Sequence, residues 1–126
     1  MKHKPSCEWF EQAEYDLKMA TVLCKNKSYI YTIFMSHLAV EKALKGLYAK
    51  RLKQNPPKTH DLVYLVRQIE LQVEPQQQEF LQMLGTLSVP TRYPETLKKL
   101  LAEYKKEETQ EVLLQTKGLV KWLKTQ

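Results

Sequence analysis

A chain of 126 residues has room for one hydrophobic core and not for two. At 43% hydrophobic and 27% charged residues it can pack that core and is not disordered by composition. Three glycines are too few for a turn-rich all-β architecture, and a formal charge of +6 excludes a strongly acidic surface.

That charge has a location. Lys42, Lys45, Lys50, Arg51, Lys53 and Lys58 lie between Lys42 and His60 with no acid among them, and the other 14 basic residues balance the 14 acidic ones. A concentrated basic segment favours an anionic partner beside it, such as phosphate, RNA or an acidic protein face, and excludes a histone-like coat of charge.

The first segment, Ser6 to Lys25, places Trp9, Ala13, Leu17, Ala20 and Cys24 on one stripe of an amphipathic helix. The next, Ser28 to Leu52, is apolar on most sides (Ile30, Ile33, Phe34, Leu38, Val40, Ala43, Leu44, Leu47) and therefore belongs at the centre of a bundle. Asn55, Pro56 and Pro57 end it, because proline lacks an amide donor and pushes its predecessor out of the α region. Thr59 is the expected N-cap of a third helix with Leu62, Leu65, Val66 and Ile69 inward. Pro75 suits the first position of a fourth helix carrying Phe80, Leu81, Leu84 and Leu87. Pro90 and Pro94 are expected to bracket an irregular stretch, followed by a short turn of helix from Glu95 to Leu101. The last helix, Lys106 to Lys124, has Val112, Leu113, Leu119, Val120 and Leu123 on one side and Gly118 as a weak point.

No segment alternates as a strand does, so the expected fold is all-α, an up-and-down bundle of about five helices forming a single domain over residues 1–126. Cys7 and Cys24 fall in one helical pattern, about 25 Å apart, and cannot pair there. Isolated thiols without CxxC spacing point to a reducing compartment and to no zinc site. The N-terminal segment lacks the apolar core of a signal peptide, and the longest run free of Asp, Glu, Lys and Arg, Ser28 to Val40, is too short to span a bilayer. The expectation is a soluble, cytoplasmic protein with no membrane partner, no metal and no cofactor.

Three features could carry chemistry. His37, Glu41 and Lys45 recur at intervals of four along the central helix, and three polar groups in one line cost free energy if buried without partners. They read either as a self-satisfied ion pair with a histidine or as an anion pocket using Lys45 and His37; Asp16 could meet them from the first helix. Lys58, Thr59 and His60 stand at a helix start, where free amides favour an anion and a neutral histidine suits a general base. Arg92 and Tyr93 precede Pro94; Arg92 could clamp a phosphate and Tyr93 stack on a base, or Tyr93 could plug the core while Arg92 bonds helix-end carbonyls. The pair His60-Asp61 also evokes HD phosphohydrolases, but with Asp16 and Asp61 as the sole aspartates the remaining ligands are missing. Glu-x-x-His, P-loop, nucleophile-elbow and dinucleotide glycine motifs are absent.

In order and spacing, Ala13, Asp16 and Leu17; His37, Ala39, Glu41, Lys42 and Lys45; Pro57, Thr59, His60, Asp61 and Leu62; and Arg92, Tyr93 and Pro94 together resemble the HEPN domain family. The resemblance runs from Trp9 to about Trp122. It implies a five-helix bundle, a homodimer, nucleotide or RNA binding, and partnership with a separately encoded minimal nucleotidyltransferase in a pair similar to toxin and antitoxin. Relatives that are metal-independent endoribonucleases carry an Arg followed by four to six residues and a His. Here the one forward pair, Arg51 to His60, has eight residues between, which departs from that pattern. Three readings follow. One is a non-catalytic nucleotide- or RNA-binding protein; a second is a ribonuclease with His60 as base and Arg51 or Arg92 stabilising the phosphorane. The third is an interaction module whose ridge is a dimer seam.

Overall fold

A computed structural model of the chain describes residues 4–92 and 97–126, without the side chains of 90–92, 97 and 100. Every regular element among them is a helix: α1 (Ser6–Lys25), α2 (Tyr29–Leu52), α3 (Leu62–Gln68), α4 (Pro75–Arg92), α5 (Leu97–Glu103) and α6 (Lys106–Leu123). Two of the six, α3 and α5, are only seven residues long.

The wide apolar surface of α2 makes it the hub, touching each of the other five helices. Its buried positions Ile33, Val40, Leu44 and Leu47 meet Ala13 and Ala20 of α1, Leu81 and Leu84 of α4, and Val120 and Leu123 of α6 in one core. The approach of α1 to α2 is close where a side chain is missing. A Cβ on Gly46 would stand 3.1 Å from Trp9 Cβ and 3.2 Å from the Phe10 ring.

All three glycines lie inside helices, so the left-handed helix ends fall to other residues. At the end of α1, Ser28 N–H donates to Leu23 O (2.8 Å) and Lys27 N–H to Cys24 O (3.0 Å), with Lys27 at φ 61°. The same pair of bonds closes α3: Leu71 N–H to Val66 O and Glu70 N–H to Arg67 O, with Glu70 at φ 50°. These are Schellman ends in which lysine and glutamate occupy the position glycine prefers. Lys53, at φ 54°, ends α2 ahead of the two prolines.

Three local expectations need correction. The cap of α3 is Asp61, whose Oδ1 accepts from Tyr64 N–H at 3.1 Å, while Thr59 stands two residues before it and its Oγ1 accepts from Asp61 N–H. A carboxylate is the stronger acceptor of the two, and it takes the amide that an anion would have used. Helix α4 continues through Pro90 to Arg92 instead of breaking; so near the helix end, proline removes one terminal bond and leaves the body of the helix intact. The short helix after it runs Leu97–Glu103, two residues beyond the expected span. Tyr104, in the turn before α6, is buried and donates its hydroxyl to Leu87 O, tying α4 to that turn.

Candidate functional site

The ridge of α2 is buried: His37, Glu41 and Lys45 are 2%, 4% and 7% exposed. Helical spacing puts their side chains on one line, and Glu41 in the middle becomes the common acceptor. Lys45 Nζ donates to Glu41 Oε2 at 3.1 Å, and His37 Nδ1 lies 3.7 Å from Oε1. The third partner comes from outside the helix. His60 brings Nδ1 to 2.9 Å from Glu41 Oε1.

The chain reaches that point because Pro56 and Pro57 turn it back along α2, and Thr59 N–H then bonds Pro57 O at 2.9 Å. Only the Glu41-facing edge of His60 is covered; its side chain is 66% exposed. A neutral imidazole next to a carboxylate acceptor carries its proton on Nδ1, which leaves the lone pair on Nε2. Glu41 therefore fixes both the orientation and the tautomer of a solvent-facing histidine.

A second group of charges lies beside the first. Asp16 of α1 is 6% exposed and pairs with Lys42 Nζ at 2.7 Å, so it meets the neighbour of the ridge and not the ridge itself. Lys4 stands over the Trp9 ring, 3.7 Å from its centroid, with Lys45 Nζ 5.8 Å from the same ring. Burial, and then the nearby Lys42 and Lys45 ammonium groups, lower the pKa of Lys4 below the usual lysine value despite the opposing pull of Glu8 and Asp16. Three ammonium groups thus share one edge of α1 and α2. Sequence reading placed Trp9 simply on the apolar stripe and gave Lys4 no role; Lys45 reaches the same ring from another helix, and a contact between helices has no periodicity to announce it.

The other expected residues scatter. Arg51 donates Nη1 to Ile69 O at 3.1 Å and Nη2 to Gln126 O at 3.5 Å, bonding the end of α3. It lies ten residues beyond Glu41 on α2, about 15 Å along the axis, so the fold does not gather Arg51 and His60 into one site. Lys58 is exposed beside His60, and Thr59 is engaged in the turn. The Arg92 side chain and Tyr93 lie outside the described residues. Of the basic segment, Lys42 and Lys45 are committed to carboxylates and the exposed Arg51 to carbonyls; Lys50, Lys53 and Lys58 are exposed as well. His37, Glu41 and Lys45 are buried within this one chain, and of the group His60 reaches the surface. Among the described residues no three His, Cys, Asp or Glu side chains are arranged to hold a metal ion, and no helix is long and apolar enough to cross a membrane.

On its far side His60 borders a groove of about 440 Å³ between α3 and α4. Leu62, Val63, Leu81 and Val89 supply apolar wall, Asp61, Gln82 and Thr86 supply polar groups, and Gly85 leaves its middle open. No sequence motif marks this groove, since its two walls come from separate helices.

The sequence profile of the HEPN domain matches residues 6–126. The chain belongs to the HEPN domain family. The fold is similar to that of TT1696 from Thermus thermophilus, at a TM-score of 0.83 and 23% identity over 95% of this chain and 96% of that one. It is also similar to ST0689, an archaeal HEPN homologue, at a TM-score of 0.76 and 24% identity over 98% of each chain. No curated protein matches the sequence. For this HEPN domain the six-helix bundle is thus shared with solved relatives, and the expected family membership stands.

Proposed function

We propose that this HEPN domain binds the phosphate of a nucleotide or of RNA at the edge where Glu41 holds out His60, and that it works as a homodimer with a separately encoded minimal nucleotidyltransferase, in a pair similar to toxin and antitoxin. One observation carries the binding part: a buried carboxylate, itself anchored by Lys45, uses one oxygen to orient an exposed imidazole at 2.9 Å. A purely structural histidine has no need to stand two-thirds in solvent, and exposed Lys58 adds charge beside it. The partnership rests on membership of the family.

Titration with ATP and with short RNA at low salt tests the reading. Binding that weakens steeply as salt rises marks RNA, because phosphate contacts release counterions; a nucleotide pocket depends on salt less. Absence of binding by wild type, or unchanged binding by His60→Ala, overturns it. Co-expression with the nucleotidyltransferase, followed by size-exclusion chromatography, tests the partnership and the dimer.

The same geometry favours a second reading, a metal-independent endoribonuclease. With Nδ1–H given to Glu41, the Nε2 lone pair of His60 is placed to take the proton of a ribose 2′-hydroxyl. Arg51 is engaged at the end of α3, so transition-state charge would need another cation. Cleavage of an RNA pool that persists in EDTA and disappears in His60→Ala establishes this reading, and cleavage indifferent to that substitution refutes it.

A further inference from the structure

We infer that the furrow between α4 and α6 docks a basic amphipathic helix of another protein. The inference stands apart from the phosphate reading, because it concerns the other flank of α4 from His60 and a partner of opposite charge.

Two hollows of about 670 and 190 Å³ share Gln76, Phe80 and Gln115 and so run together as one furrow. On α6 it extends from Glu111 to Gly118, about 10 Å, which is the rise of two turns of a helix laid along it. Phe80 and Leu119 belong to the core and form its floor, whereas Met83 is 39% exposed. The unbranched thioether of Met83 adapts its shape to whatever side chain packs on it. Gly118 keeps one end open, with nothing within 4 Å of where its Cβ would stand.

The rim decides the partner. Glu79 is the one charged residue of α4 before Arg92, and it lines the furrow together with Glu111. Glu108, exposed one turn before Glu111, extends the acidic side. Glu111 Oε1 accepts from Gln115 Nε2 at 3.1 Å, and none of the three carboxylates is paired with a cation among the described residues. Among those residues no lysine or arginine lines either hollow; Lys117, next to Gly118 in sequence, lines the hollow between α1 and α6 instead.

In a chain of net charge +6 this is a local reversal of sign. It repels RNA and acidic protein faces and attracts lysine or arginine. An apolar floor two turns long beside acidic rims matches a helix whose apolar side chains recur at i, i+3 or i+4 and are flanked by cations. Screening over about 8 Å at physiological salt leaves the rim carboxylates to act on a docked helix and mutes the distant lysines.

Fluorescence anisotropy of the full chain tests this with two labelled synthetic helices. One carries a stripe of leucines with lysines elsewhere; the other has glutamate in place of every lysine. The expected result is that the lysine helix binds about tenfold or more tighter than the glutamate helix and weakens as salt rises. The double variant Glu79→Lys/Glu111→Lys should lose about tenfold or more of that affinity, and Glu79→Gln/Glu111→Gln should fall between it and wild type. Met83→Ala, which trims the exposed part of the floor, should weaken binding by a smaller factor. All three positions are exposed on helices, so the variants keep the fold, and circular dichroism checks that they do.

The inference is overturned if wild type does not bind the lysine helix, if it binds both helices alike, or if charge reversal leaves binding unchanged. Self-association at low salt that the reversal abolishes, without binding of the lysine helix, also overturns it and gives the furrow to a second copy of this chain.

Discussion

His60 Nδ1 and Glu41 Oε1, 2.9 Å apart, join the exposed loop after α2 to the buried middle of that helix. Glu41 also holds Lys45, so its removal strands a buried ammonium as well as freeing the histidine. Glu41→Ala is expected to destabilise by about 3–5 kcal/mol, the range for breaking a buried pair by deleting one partner. Glu41→Gln keeps the shape and one acceptor oxygen and should lose less. Urea unfolding of the two variants measures the difference.

His60→Ala separates stability from function. The imidazole is mostly in solvent and its loss leaves Glu41 paired with Lys45, so the midpoint of unfolding should move by no more than about 1 kcal/mol. Nucleotide or RNA binding should fall far more than that shift explains. A large loss of stability would mean that the histidine is chiefly a strut.

How far the sequence spoke can be judged from the same pair. The ridge of His37, Glu41 and Lys45 was legible because a four-residue interval on an apolar helix leaves no doubt about which side chains align. The bounds of α1 and α2 and the Pro75 start of α4 were legible from periodicity and from proline chemistry. What closes on the ridge was not. His60 arrives by a loop whose path depends on the Pro56–Pro57 turn, and Asp16, expected at the ridge, pairs instead with its neighbour Lys42; contacts between elements leave no spacing to read. The competition between Thr59 and Asp61 for the cap also turns on backbone direction at two good cappers two residues apart, which composition does not decide.

Arg51 provides a test of what the fold made of an expected site residue. Bonded to Ile69 O, it anchors the end of α3 to α2. Arg51→Met should cost about 1 kcal/mol in chemical unfolding, the usual net worth of one such bond or slightly more for a charged donor. Nucleotide and RNA binding should be unchanged. A selective loss of binding or cleavage with stability intact would return Arg51 to the site.

Helix ends and helix interiors should respond oppositely to the same residue type. Lys27 sits left-handed at the Schellman end of α1, so Lys27→Gly should stabilise by about 1 kcal/mol. Gly118 is inside α6 with open space at its Cβ, and Gly118→Ala should add about 0.5–1 kcal/mol. Gly46→Ala has the same propensity gain but meets Trp9 and Phe10 at 3.1–3.2 Å, and the overpacking should leave it net destabilised by about 1 kcal/mol. Thermal unfolding of the three single variants reads all three signs.

Tyr104 sets an alkaline limit. Burial first, and then the Glu103 carboxylate, raise its phenol above the ordinary value of 10.0, so the folded protein holds that proton where the unfolded chain has released it. A group with a raised folded pKa contributes stability that is complete below the unfolded pKa and is lost as pH rises through the folded one. Stability should accordingly decline as pH climbs past about 10. Tyr104→Phe removes the hydroxyl and its bond to Leu87 O, which should cost about 1 kcal/mol at neutral pH and flatten the alkaline decline. Urea midpoints at neutral pH and in the alkaline range check both effects, and parallel curves for the two proteins would show that the alkaline loss has another source.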